Sequence, residues 1–172
     1  MIRRITLTLT AVFVTTAALP AQTANPLSTE AKQAFNAIKN NLVKMAEKMP
    51  EEAYGFQPVP EIRTFGQLIA HVADAQLRTC SAVLGEQKQA NAASKSAKAD
   101  LVAAMKEAVA ECDKAFESLT DANAAEMIKT PRGQRTKLGA LVGNTIHDNE
   151  EYGYMAVYMR LKGVVPPSSE GK

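Results

Sequence analysis

The stretch TKLGALVGNTIHDNEEYGYMAVYMRLKG, residues 136–163, decides the reading of this chain. It contains no proline, begins at a threonine able to cap a helix, and ends at Gly163 with Pro166 and Pro167 just beyond. Those signals predict one long helix. At about 100° per residue, Leu138, Val142, Asn149, Tyr152 and Ala156 form one stripe, while Ala140, Asn144, His147, Glu151 and Tyr158 lie nearly opposite. A helix with apolar residues on both sides is expected to have neighbours on both. His147 and Glu151, four residues apart, then point together into a bundle or a cleft.

Working outward, three further helices are predicted. Ser28 is placed to cap the first, where Phe35, Ile38, Leu42, Met45 and Met49 step by three and four until Pro50. Thr64 caps the second, whose stripe Phe65, Leu68, Ile69, Val72, Gln76, Cys80, Val83 and Leu84 stops at Gly85, with His71 at its edge. The third begins near Asp100 and carries Leu101, Met105, Ala108, Cys112, Phe116 and Leu119. Residues 51–63, rich in proline and aromatics, read as an ordered loop, and residues 86–97 as a polar, mobile one. Residues 120–135 break the helical pattern, with room for one extra turn at 124–128. No stretch alternates with a period of two. The expectation is all-α: a four-helix bundle, no sheet, and loops longer than bundles usually carry.

The N-terminus has the form of an export signal: Arg3 and Arg4, an apolar run to Leu19, then small residues, with cleavage expected after Ala21. The run is too short to span a bilayer, and no cysteine follows it to carry a lipid. The predicted organisation is a signal peptide at 1–21, a linker at 22–27, the bundle at 28–165 and a tail at 166–172. The product is expected to be soluble, without a stable membrane anchor, and periplasmic or secreted. Removing Arg3 and Arg4 takes the 20 basic residues to 18, equal to the 18 acidic ones. A neutral chain without a basic run lacks the electrostatic footprint of a nucleic-acid binder. Cys80 and Cys112 are the only cysteines. Two readings stand open: a disulfide, as export favours, or two buried thiols on apolar faces.

No phosphate-binding glycine loop, serine nucleophile elbow or paired-cysteine metal spacing occurs. What is left is His71 on one helix with His147 and Glu151 on another. Two imidazoles and a carboxylate suit Zn²⁺, Ni²⁺ or Fe²⁺ and leave coordination positions open. The competing reading is a hydrogen-bonded polar cluster in the core. Asp74, Asp148 and Glu150 read as solvated acids or as supports behind the ligands, and Tyr152, Tyr154 and Tyr158 as packing residues with a polar tip.

The segments PEIRTFGQLIAHVADAQ (60–76), HDNEEYG (147–153) and YMRLKGVVPP (158–167) resemble the DinB-like, DNA-damage-inducible family of four-helix bundles. The resemblance covers most of the chain beyond the leader. It implies a divalent-metal site, commonly Ni²⁺ or Zn²⁺, built from one His of the second helix and two of the last. His71 and His147 match two of those positions; Glu151 stands where the third His is expected. It further implies a metal-dependent hydrolase or thiol transferase acting on an unknown small molecule. The alternative is a non-catalytic binding module, possible as a homodimer, with a degenerate metal site.

Overall fold

The structure is a computed structural model that describes residues 24–130 and 133–171. The expected leader and its cleavage point lie outside the described residues. Among the described residues four α-helices form: α1 (Pro26–Lys48), α2 (Phe65–Val83), α3 (Lys98–Ser118) and α4 (Lys137–Leu161). The four-helix bundle expected from the sequence is thus observed, and α1, α2 and α3 bury the stripes their spacing announces. In α1 that stripe is Phe35, Ile38, Leu42 and Met45; in α3 it is Leu101, Met105, Ala108, Cys112 and Phe116. The rings of Phe35 and Phe116 stack across the α1–α3 seam at 4.5 Å.

The packing explains the long connections. α1 packs chiefly on α3 and α4, and α2 on the same two helices, so α1 faces α2, and α3 faces α4, across the diagonals. The first and third loops must therefore cross an end of the bundle instead of making a tight hairpin. In the first, Glu51–Ala53 forms one 3₁₀ turn, and the amide N–H groups of Phe65 and Gly66 donate to the carbonyls of Phe56 and Tyr54. A Cβ on Gly66 would meet the Tyr54 carbonyl oxygen at 3.2 Å, so the loop is drawn tightly onto the start of α2. The Tyr54 hydroxyl donates to the carbonyl of Ala46, and the Tyr158 hydroxyl of α4 donates to that of Arg63.

Several expectations are corrected. α1 starts at Pro26, not after Ser28: Asn25 adopts the left-handed conformation (φ 59°), and the Asp121 carboxylate accepts from the amides of Leu27 and Ser28. The cap arrives from 93 residues away, which local spacing cannot show. The third connection has no helical turn at 124–128. It carries a two-stranded antiparallel hairpin, β1 (Met127–Thr130) and β2 (Gly133–Thr136), with Ile128 opposite Arg135. Its strands are four residues long and largely exposed, too short and polar for an alternating signature.

The stripes of α4 are also redrawn. Val142 and Asn149 face solvent, and the buried face is Ala140, Leu141, Asn144, Thr145, Asp148, Glu151, Tyr152, Met155 and Met159. Polar and apolar residues share that face, so hydrophobic spacing alone misplaces it. The C-terminal segment returns onto the bundle: Ser168 N–H donates to the Tyr152 hydroxyl, and Lys48 pairs with Glu170.

Cys80 of α2 and Cys112 of α3 form a disulfide with Cα atoms 4.9 Å apart. Of the two readings left open for these residues, the structure has the bridge. No helix among the described residues is long and apolar enough to cross a membrane.

Candidate metal centre

Two caps set the helices that carry the site. At α2, the Thr64 hydroxyl accepts from Gln67 N–H while the Gln67 side chain accepts from Thr64 N–H, a reciprocal capping box. His71 follows in the second turn. At α4, the Thr136 hydroxyl accepts from Gly139 N–H at 3.0 Å, and a Cβ at Gly139 would lie 2.8 Å from that oxygen. Glycine is what lets this cap close. His147 and Glu151 follow one turn apart, both aimed at α2.

The three residues singled out in the sequence converge. His71 Nε2 lies 3.1 Å from His147 Nε2 and 3.5 Å from Glu151 Oε1, and His147 Nε2 lies 3.6 Å from the same oxygen. The imidazole rings meet edge to face at 5.0 Å. All three side chains are largely withdrawn from water, Glu151 most of all at 9% exposure. Ligands at about 2.0–2.1 Å from one ion stand about 3.3–3.5 Å apart in a tetrahedron and about 2.9–3.0 Å apart at adjacent octahedral corners. The observed sides, 3.1 to 3.6 Å, run from near the octahedral separation to just above the tetrahedral one, and the donor set of two imidazole nitrogens and one carboxylate oxygen fits a divalent cation.

Electrostatics favour a cation there. Burial pushes the Glu151 carboxyl above its ordinary range; Arg63 acts in the opposite sense, and Glu150 adds to the rise. Oε2 of Glu151 is buried and has no hydrogen-bond partner among the described residues. A buried carboxylate facing two basic ring nitrogens gains from a positive charge held between them.

The other acids play different parts. Asp148, expected to be solvated or behind a ligand, is completely buried, where its Oδ2 accepts from the Asn144 amide at 3.0 Å. Burial raises its carboxyl to about 7; the Gln76 amide pulls the other way through a polar contact that falls outside hydrogen-bond geometry. Asp74, three residues after His71, turns away from the cluster. Its two oxygens accept from the amides of Ala92 and Ala93, and so anchor the α2–α3 connection. Glu150 is exposed and accepts from the Tyr154 hydroxyl. Sequence reasoning missed the buried Asn144–Asp148 pair; the i, i+4 spacing of an amide and an acid was the available signal.

The triad stands between two openings. On one side His71 and His147 border a small cavity of about 100 Å³. On the other, Glu151 borders a wider, more apolar cleft of about 720 Å³ with Arg63, Leu68, Tyr154, Val157 and Tyr158. Phe56 packs edge to face on Tyr158, so the loop before α2 forms one rim of that cleft.

Comparison with known proteins agrees with this architecture. The model of the DinB superfamily matches residues 34–155. A DinB-like protein from Bacillus cereus superposes with a TM-score of 0.71 at 16% identity, over 81% of this chain and 95% of that one. A DinB-like protein from Bacillus subtilis gives 0.62 at 17% identity, over 78% and 92%. The mycothiol-dependent maleylpyruvate isomerase gives 0.57 at 18% identity, over 76% of this chain and 60% of that one. At such identities these likenesses speak to fold. No curated protein matches the chain. With a family match over most of its length and four helices in the same arrangement, the chain belongs to the DinB superfamily.

Proposed function

We propose that this protein holds one divalent cation on His71, His147 and Glu151 and uses it for hydrolysis of, or group transfer to, a small molecule. The observation that carries the reading is the closed triangle of donor atoms, 3.1, 3.5 and 3.6 Å on its sides, contributed by two helices that meet only through tertiary packing. Zn²⁺ and Ni²⁺ are the ions that best suit two imidazoles and a carboxylate, with Fe²⁺ next. An ion so held supplies Lewis-acid chemistry, bringing a water molecule or a thiol toward ionisation near neutral pH.

The chain's own residues do the rest. His71 and His147 present Nε2 to a common point, and the caps at Thr64 and Thr136 hold the helices that carry them. Glu151 presents Oε1 to the same point and keeps Oε2 as a proton acceptor beside the apolar cleft. Tyr158 is fixed by its donation to the Arg63 carbonyl and forms part of the wall of that cleft. The carboxylate adds negative charge where a third imidazole would add none, so it would hold a cation more strongly by charge while tempering its Lewis acidity.

One observation and one expectation from the sequence support hydrolysis over thiol transfer. The Cys80–Cys112 bridge suits an oxidising compartment, as would the export signal expected at residues 1–21, and small cytosolic thiols are scarce there. The fold shared with a mycothiol-dependent enzyme supports the thiol version. Titrating the chelator-stripped protein with Zn²⁺ or Ni²⁺ by calorimetry tests the site. One equivalent is expected to bind, and hydrolysis of a reporter ester such as p-nitrophenyl acetate is expected to rise with occupancy. Absence of any binding above that of His147→Ala would leave the non-catalytic module as the reading.

A further inference from the structure

The small cavity beside the imidazoles is built by both helices and the hairpin. α2 lines it with Ala75, Arg78 and Thr79, one to two turns beyond His71. α4 lines it with Asn144, Gly143 and Ala140, one to two turns before His147, and Thr130 and Arg135 of the hairpin complete the wall. Small residues at 75, 140 and 143 leave the space open. The Arg135 guanidinium lies against the backbone of α4: a Cβ on Gly143 would come within 3.1 Å of its Nη1.

The charge of this cavity is poorly compensated. Arg78 has Asp74 Oδ2 only at 3.9 Å, and both oxygens of Asp74 already accept backbone amides. Among the described residues, no carboxylate stands within ion-pair distance of Arg135. Two guanidinium groups thus face one small, partly enclosed space whose other polar lining is two threonines, an asparagine amide and the imidazoles of His71 and His147, with no acid among the described residues that line it. A planar fork of N–H donors at fixed spacing is suited to the two oxygens of an oxyanion.

We propose that this cavity recognises the oxyanion group, carboxylate or phosphate, of a small acidic substrate, with Arg135 and Arg78 as the binding groups. The rest of that substrate is then directed to the His71–His147–Glu151 cluster at the cavity's inner end. The proposal deepens the metal-dependent reading and rests on it for the reaction, but not for the binding of the anion.

The test uses the full chain, stripped of metal with chelator and desalted, and calorimetry with succinate, inorganic phosphate and neutral succinamide. Succinate or phosphate is expected to bind, succinamide is not, and which anion binds tells the carboxylate source from the phosphate one. Arg135→Gln and Arg78→Gln are each expected to weaken the bound anion at least tenfold while leaving the melting temperature and Zn²⁺ uptake as in wild type. Gly143→Leu, which fills the cavity on a helix that tolerates leucine, is expected to abolish anion binding with Zn²⁺ uptake retained. Failure of both anions to bind, equal binding of succinamide, or binding unchanged in all three variants would overturn the proposal. Failure of Zn²⁺ uptake with anion binding intact would instead overturn the metal reading alone.

Discussion

α2 has two neighbours and meets them in different ways. Toward α3 the contact is the most extensive in the bundle, and it is closed covalently by Cys80–Cys112. Toward α4 the contact is thinner and carries His71, Gln76, Asn144, His147, Asp148 and Glu151, all wholly or largely buried. Burying polar groups costs free energy unless each is paired. One side of α2 therefore holds the bundle together, and the other gives up stability to keep chemistry-bearing groups in place. The disulfide on the first side offsets part of what the second side costs, and it does so without touching the site.

If that division is right, the two seams should respond to different perturbations. Cys80→Ser with Cys112→Ser is the largest test. A bridge across a sequence separation of 32 contributes about 3–4 kcal/mol in the chain-entropy model. The double variant should melt roughly 10 °C lower, at about 2–4 °C per kcal/mol for a chain of this size, yet take up Zn²⁺ with unchanged stoichiometry. A comparable loss of metal binding would merge the two seams into one.

Metal acts on the other seam. Zn²⁺ at a hundredfold excess over its dissociation constant should stabilise the folded chain by about 2.7 kcal/mol. Differential scanning calorimetry should show that gain in wild type and no gain in His147→Ala. Smaller again is Glu151→Gln, which keeps shape and removes the charge: affinity should fall at least tenfold, about 1.4 kcal/mol, as read by isothermal titration. Glu151→His, restoring the residue the family resemblance implies, should keep one ion per chain.

The smallest effect belongs to the α3 side. Glu111, nearly buried, pairs with Lys88 at 2.7 Å and Lys114 at 3.2 Å. Burial alone would raise its carboxyl, but the two ammonium groups outweigh burial and hold it below the ordinary range. A depressed folded value means that its stabilisation is complete above the unfolded value, near 4.5, and disappears as pH falls through the folded one. Glu111→Gln should therefore cost about 0.5–1 kcal/mol in urea melts at pH 7, with the difference vanishing in strong acid.

How much of this was legible beforehand follows the same division. The apolar seams were readable because spacing reports burial directly: Phe35, Leu42, Met105 and Phe116 are where the period puts them. Thr64 and Thr136 announced their helices by local chemistry. The convergence of His71, His147 and Glu151 was readable from residue type, spacing and family resemblance together. The face of α4 was not, because Asn144, Asp148 and Glu151 are buried among Leu141, Met155 and Met159. Nor were the cap from Asp121 and the cationic cavity, since Arg78 and Arg135 meet only after the hairpin, itself unsigned in the sequence, folds beside α2.

The central claim is that α2 and α4 jointly grip one cation. It is tested most directly by crystals of the chain soaked in Zn²⁺ and measured at the zinc absorption edge. The account predicts a single anomalous peak bonded to His71 Nε2, His147 Nε2 and a Glu151 oxygen. A peak held by other residues, or none in a crystal whose solvent contains the ion, would contradict it.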